Sequence, residues 1–224
     1  MMKKLFAIIL AVMILASMAT VVLLSLAACG GTGTEDGSTA PAESGEAATE
    51  EQGAGETELA IADANDLLTK VWAEYNASAP EELRFPAGGG NAETMVMDQP
   101  AKYDPTLEYA QDTLTASFCA TPEFVAQTDD ISTLMNMMMA NNFTAAAYHI
   151  TDSANTESAV MQLKDATMNN QWMCGIPEKL IIVTVGDDYI LYAFGNGQVI
   201  DTFSAAVKTL YADEAVFVVE EAIQ

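Results

Sequence analysis

The chain has 224 residues, with 32 acidic side chains against 8 basic ones and a single histidine. So strong an acidic excess repels phosphate backbones and anionic headgroups, which argues against nucleic-acid binding and against membrane attachment through basic patches. The 166 residues from 59 onward keep 24 of the acids and 6 of the bases, and they suit one domain with its own core.

Lys3 and Lys4 precede a run from Leu5 to Ala28 in which only Ser17, Thr20 and Ser25 are not apolar. A charged start, an apolar stretch and a small-residue exit form an export signal. The exit, Leu26-Ala27-Ala28-Cys29-Gly30, resembles the lipobox of bacterial lipoproteins. That resemblance implies cleavage after Ala28 and lipidation of Cys29, whose acyl chains would hold the mature protein on the outer face of the cell membrane. An uncleaved membrane-spanning anchor is the rival reading, since about 20 apolar residues cross a bilayer. Residues 29–58 hold seven glycines, eight carboxylates and no base, so they read as a disordered, self-repelling tether.

From about 59 to 78, Ile61, Ala64, Leu68, Val71, Trp72 and Tyr75 recur at helical spacing. Pro80, Pro86 and Gly88-Gly89-Gly90 then read as a loop, with a short strand around Thr94–Asp98. Asp104-Pro105 is a helix start, with Leu107, Ala110 and Leu114 on its weak apolar face. Thr121-Pro122 opens a further helical turn. Asp130 reads as the cap of a helix carrying Ile131, Leu134, Met135 and Met138. Phe143–Ile150 is a strand, Ser153–Gln171 a helix capped by Ser153, and Leu180–Val185 with Tyr189–Phe194 a hairpin through Gly186-Asp187-Asp188. An amphipathic helix over 197–211 and a strand at Ala215–Val219 complete the pattern. The order β-α-β-β-α-β is that of the ferredoxin-like split plait. It predicts an α+β domain of two layers, with both helices on one face of an antiparallel sheet and the N-terminal helices as an elaboration.

Cys119 and Cys174 are the cysteines left after lipidation. Outside the membrane they could close a disulfide around a loop of about 56 residues, contributing roughly 4 kcal/mol, or remain as two buried thiols. His149 is expected to be a strand-end histidine with a structural hydrogen bond; a Cys174–His149 dyad is the catalytic alternative. Met135, Met138 and Met139 are expected on the buried face of the Asp130 helix. A methionine stripe left on a surface would instead be an apolar contact or a soft-metal site. No zinc, calcium or nucleotide motif is present, so no metal or cofactor is expected. Gly195-Asn196-Gly197, between a strand and a helix, could hold a small anion on backbone N–H groups or serve as a plain turn.

Asn141–His149, Gln171–Leu180 and Phe85–Gly90 together resemble an uncharacterised lipoprotein family of anaerobic Gram-positive bacteria. The resemblance spans roughly 64–212. That family carries a domain of unknown function, so it implies an envelope location but supplies no catalytic or binding residues. Tyr148, Trp172 and Pro177 in these segments are plausible contact residues. The resulting expectation is a membrane-anchored, non-enzymatic binding or accessory module, with an envelope protein or small ligand as partner. The alternatives are a thiol-dependent enzyme using Cys174 and His149, or a binder of small anions.

Overall fold

A computed structural model describes residues 60–173 and 175–224. The signal segment, Cys29, the tether and Cys174 lie outside the described residues.

Helix α1 (Ala64–Ser78) starts where Asp63 accepts a hydrogen bond from the Asp66 N–H, and it buries Leu67, Leu68, Val71, Trp72 and Tyr75. Strands β1 (Ala87–Gly89), β2 (Val96–Met97) and β3 (Ala101–Lys102) follow. Helix α2 (Ala110–Phe118), the single turn α3 (Pro122–Val125) and the long strand β4 (Thr128–Asn136) come next. The remaining elements are β5 (Phe143–Ile150), α4 (Thr156–Met168), β6 (Lys179–Val185), β7 (Tyr189–Gly195), α5 (Gly197–Leu210) and β8 (Ala215–Ala222). The eight strands form one open antiparallel sheet in the order β2-β1-β4-β5-β7-β6-β8, with β3 also pairing with β4.

The chain is therefore mixed helix and strand, and its C-terminal half has the expected order of elements. The arrangement differs from the split plait in where the last strand goes. In the plait it returns beside the first strand; here β8 pairs with β6, and β4 occupies the place beside β5. The crossovers β5-α4-β6 and β7-α5-β8 both step in the same direction along the sheet, from antiparallel starting strands. Right-handed crossovers of that kind place their helices on opposite faces. The core divides accordingly. On one face Val199, Phe203 and Val207 of α5 join α1 over Ile181, Val183, Leu191 and Ala193. On the other, Val160 and Leu163 of α4 join α2 and α3 over Leu180, Ile182, Ile190 and Tyr192. Three layers replace the expected two.

The reason is in the strands. Leu180–Val183 and Ile190–Phe194 are apolar without interruption and fully buried. A strand that faces water on one side alternates polar and apolar, whereas these must be covered on both. On the α1/α5 face the cover is aromatic: Trp72 stacks on Tyr75 at 5.0 Å, and Phe143 meets Phe85 at 5.1 Å and Phe203 at 5.3 Å.

Four local expectations change. The segment from Asp130 is strand β4, held between β5 and the short strands β1 and β3. Asp130 does cap a helix, but the helix is α1, whose Ala64 N–H donates to Asp130 Oδ2 at 2.8 Å. Gly88-Gly89 belongs to a strand rather than a loop. A side chain on Gly89 would sit 2.3 Å from the Thr133 carbonyl oxygen and 2.5 Å from the Ala101 nitrogen, so β1, β3 and β4 close together only over glycine. Asp104 forms a turn with Thr106 instead of starting a helix, and α2 begins later, at Ala110. Helix α4 is preceded by a 3-10 turn capped by Asp152, not Ser153.

Burial on both faces has a direct consequence. Ile181 and Ile182 point to opposite layers, so Ile181→Ala and Ile182→Ala are each expected to cost about 2–5 kcal/mol in urea unfolding. Tolerance of either substitution would mean that one face is open.

Candidate functional site

The polar groups left over from this core gather at the end of the sheet where β4 enters. Between Thr128 and Asp130 the β4–β5 register shifts by one residue, and Asp129 is the extra one. A bulge of this kind turns a side chain out of the regular alternation. Asp129 Oδ1 lies 2.5 Å from Nδ1 of His149, and Asp188 Oδ2, from the β6–β7 turn, lies 3.2 Å from Nε2. With a carboxylate at each ring nitrogen, the imidazolium form is favoured. The Asp129 hydrogen bond is the largest cause raising the His149 pKa, and partial burial opposes it. The Tyr189 ring packs 4.9 Å away.

Next to this pair, Lys102 of β3 bridges Asp63 Oδ2 at 3.0 Å and Asp130 Oδ1 at 3.6 Å. The Asp63 carboxyl is held below its ordinary range, first by the Asp66 backbone N–H and then by Lys102. The N-terminus of α1, strand β3 and strand β4 are thus joined through two carboxylates and one ammonium.

A groove of about 560 Å³ opens beside them, lined by Lys102, Tyr103, Asp104, Leu107, Asp129 and Asp130 among others. A second recess of about 330 Å³ shares Asn91, Tyr103 and Leu107 with it and adds Glu93, Glu108 and Tyr109. The shared rim is fixed from within. Buried Asn91 donates to the Asp104 carbonyl at 2.9 Å and accepts from the Asp104 N–H at 2.8 Å. The Tyr103 hydroxyl donates to the Ala110 carbonyl at 3.0 Å. Tyr109 stands at φ 62°, in the left-handed region, with its side chain 72% exposed. A non-glycine residue there costs about 1–2 kcal/mol.

The residues singled out from sequence fall in different places. Tyr148 is fully buried, edge-to-face with Phe124 at 4.8 Å, and belongs to the core rather than a contact surface. Trp172 is half-buried against Phe194 at 5.0 Å and, with Ala116, Asn141 and Met173, lines a separate recess of about 410 Å³. Gly195 is required by close approach, since a Cβ there would lie 2.2 Å from the Asn142 carbonyl oxygen. The Gly197 N–H donates to Glu178 Oε2 at 2.8 Å, and the Asn196 amide reaches the same oxygen at 3.2 Å. This helix start therefore already holds an anion, supplied by the chain itself.

Cys119 is buried, forms no disulfide among the described residues, and has its thiol pKa pushed up by burial. A thiol in that state is a poor nucleophile. Asn141 donates to the carbonyl of Gly175 at 2.6 Å, beyond the Phe143 end of β5, whereas His149 lies near the opposite end. The structure does not bring His149 together with Trp172 or Gly175. Sequence reading missed Lys102, Asp129, Asp188 and Tyr109. Asp129-Asp130 and Asp187-Asp188 had the pattern of a cap and a turn, and they meet only through strand pairing. Among the described residues, no group of three or more His, Cys, Asp or Glu side chains could hold a metal ion.

Because the folded pKa of His149 is raised, its contribution to stability is complete below the unfolded value of about 6.5 and is lost as pH rises through the folded value. His149→Gln is expected to destabilise the protein at pH 5.5 by up to about 1 kcal/mol, the range for partly exposed ion pairs. In urea titrations the gap to the unsubstituted protein should close at alkaline pH. A gap independent of pH would show that the ring acts only by packing.

Compared with family models, curated proteins and solved structures, the chain finds no match.

Proposed function

We propose that the chain is a membrane-anchored extracytoplasmic lipoprotein whose domain is a non-enzymatic binding module, in keeping with the uncharacterised lipoprotein family it resembles. Anchoring is supported by the Leu26–Gly30 pattern behind its apolar run and by the acidic tether after it. Among the described residues, no helix is long and apolar enough to cross a membrane. An alkyne fatty acid fed to the producing cells should label the chain through Cys29, and Cys29→Ser should abolish the label. Equal labelling of the variant would sink the lipoprotein reading.

The observation that carries the binding role is the groove beside Tyr109. The exposed Tyr109, held at a cost in backbone conformation, lines the second recess with Glu93 and Glu108, and Asp104 and Asp129 line the groove that shares its Asn91–Tyr103–Leu107 rim. Aromatic faces and carboxylates together favour an amine-bearing or other cationic ligand. The titratable groups near the groove are committed to one another: His149 to two carboxylates, and Lys102 to Asp63 and Asp130. Such a site is better suited to holding a ligand than to moving protons.

Tyr109→Gly tests this with two opposed readouts. Glycine relieves the left-handed strain, so the melting temperature should rise. Loss of the ring should weaken binding of a lysine-rich peptide, or of spermidine, by roughly 0.5–1 kcal/mol. If neither cationic probe perturbs the amides of residues 102–109 in the unsubstituted protein, the groove is not the binding surface.

A further inference from the structure

Six methionines fall within residues 95–139, and strand pairing gathers four of them. Gly88 of β1 is the cross-strand partner of Met97 on one side and of Met135 on the other. Cross-strand partners share a face of the sheet, and so do residues two apart along a strand. Met95 and Met137 lie two residues from Met97 and Met135, one residue beyond the ends of β2 and β4. The point where a Gly88 Cβ would stand is 2.6 Å from Met137 Sδ and 3.0 Å from Met95 Sδ. The two sulfurs are separated by no more than the sum of those distances, over a spot that glycine leaves empty.

Met135 packs against the core under α2, α3 and α4, whereas Met95, Met97 and Met137 belong to neither core cluster. Met97 is 54% exposed and Met137 39%, while Met95 and Met135 are half-buried. Their backbone is nevertheless fixed. The Met137 N–H donates to the Pro86 carbonyl at 3.0 Å, and the buried Asn136 side chain accepts from the N–H groups of Met138 and Met139 at 2.9 and 3.2 Å. Packing would call for burial of the sulfurs; here those of Met95 and Met137 converge over Gly88, beside the exposed Met97 and Met137 side chains. Thioethers are neutral, soft ligands that select Cu(I) over zinc, calcium or magnesium. A metal–sulfur bond of roughly 2.3 Å lets one ion bridge sulfurs about 4.6 Å apart, a spacing within reach of small rotations of Met95 and Met137.

We infer that the methionine face around Gly88 is a binding site for a soft monovalent cation of the Cu(I) class, with Met95 and Met137 as the central ligands and Met97 and Met135 completing the set. This is independent of the groove beside Tyr109. Having no proton to lose, such a site binds equally at pH 5 and pH 7.5, unlike one built on histidine or carboxylates.

The test uses the full chain with methyl-labelled methionine, its accessible thiols alkylated, and Ag(I) as a redox-inert probe. The methyl resonances of Met95, Met97, Met135 and Met137 should shift together and saturate at one equivalent, at both pH values. Met95→Leu and Met137→Leu conserve volume and should leave the fold intact; each should weaken Ag(I) binding by about tenfold or more. Unmoved methyl resonances, or unchanged Ag(I) affinity in the double leucine variant, would overturn the proposal and leave these side chains as an apolar surface.

Discussion

Strands β5, β6 and β7 bury side chains on both of their faces, and the placement of the other elements follows from covering two apolar surfaces at once. Helices α1 and α5 cover one, and α2, α3 and α4 cover the other. The route of the chain obeys the same demand. Sending β8 to the outside of β6 keeps the two crossovers moving in one direction, which divides their helices between the faces. A return beside β5 would have put both helices on the same side and left Leu180, Ile182, Tyr192 and Phe194 in water. At about 25 cal/mol per Å² of apolar surface, exposing even a few such side chains would cancel the net stability of a domain this size.

Charge is arranged around that core. With so few basic residues, the chain places Lys102, Lys164 and Lys179 where each meets at least one carboxylate from another element. Lys102 joins α1 to β3 and β4, Lys164 ties α4 to Glu221 of β8, and Lys179 joins Asp201 of α5 to Glu220 of β8. His149 does the same for the β4 bulge and the β6–β7 turn. Around the two recesses at residues 91–131, Glu93, Asp104, Glu108 and Asp129 add further carboxylates to the lining. The proposed ligand class follows from those carboxylates together with the exposed Tyr109 ring.

Much of the fold was legible in the amino-acid sequence. Helix α1, the β6–β7 hairpin, α5 and the β8 strand could be read because periodicity and turn chemistry agreed there. The continuous apolar runs at 180–183 and 190–194 also carried the signal for a doubly covered sheet, but element order alone suggested a two-layer plait. Segment 130–138 was misread because Ile131, Leu134 and Met135 satisfy helical spacing. Its pairing with β5, β1 and β3 is non-local, and tertiary pairing outweighs so short a periodicity. The glycine tract at 88–90 looked like a loop because the close approach that needs it comes from Ala101 and Thr133. The site was the least legible part: Asp129 and Asp188 lie far in sequence from each other and from Lys102 and Tyr109, and nothing local marks any of them.

The central claim is that the sheet is covered on both faces, with α4 and α5 in different layers. Methyl–methyl nuclear Overhauser effects test it most directly. Val160 and Leu163 should show contacts to Ile182, and Val199 and Val207 to Val183, with none linking α4 to α5. Cross-peaks between the methyl groups of α4 and α5 would place both helices on one face and contradict the architecture from which the groove, the ion pairs and the methionine face are all derived.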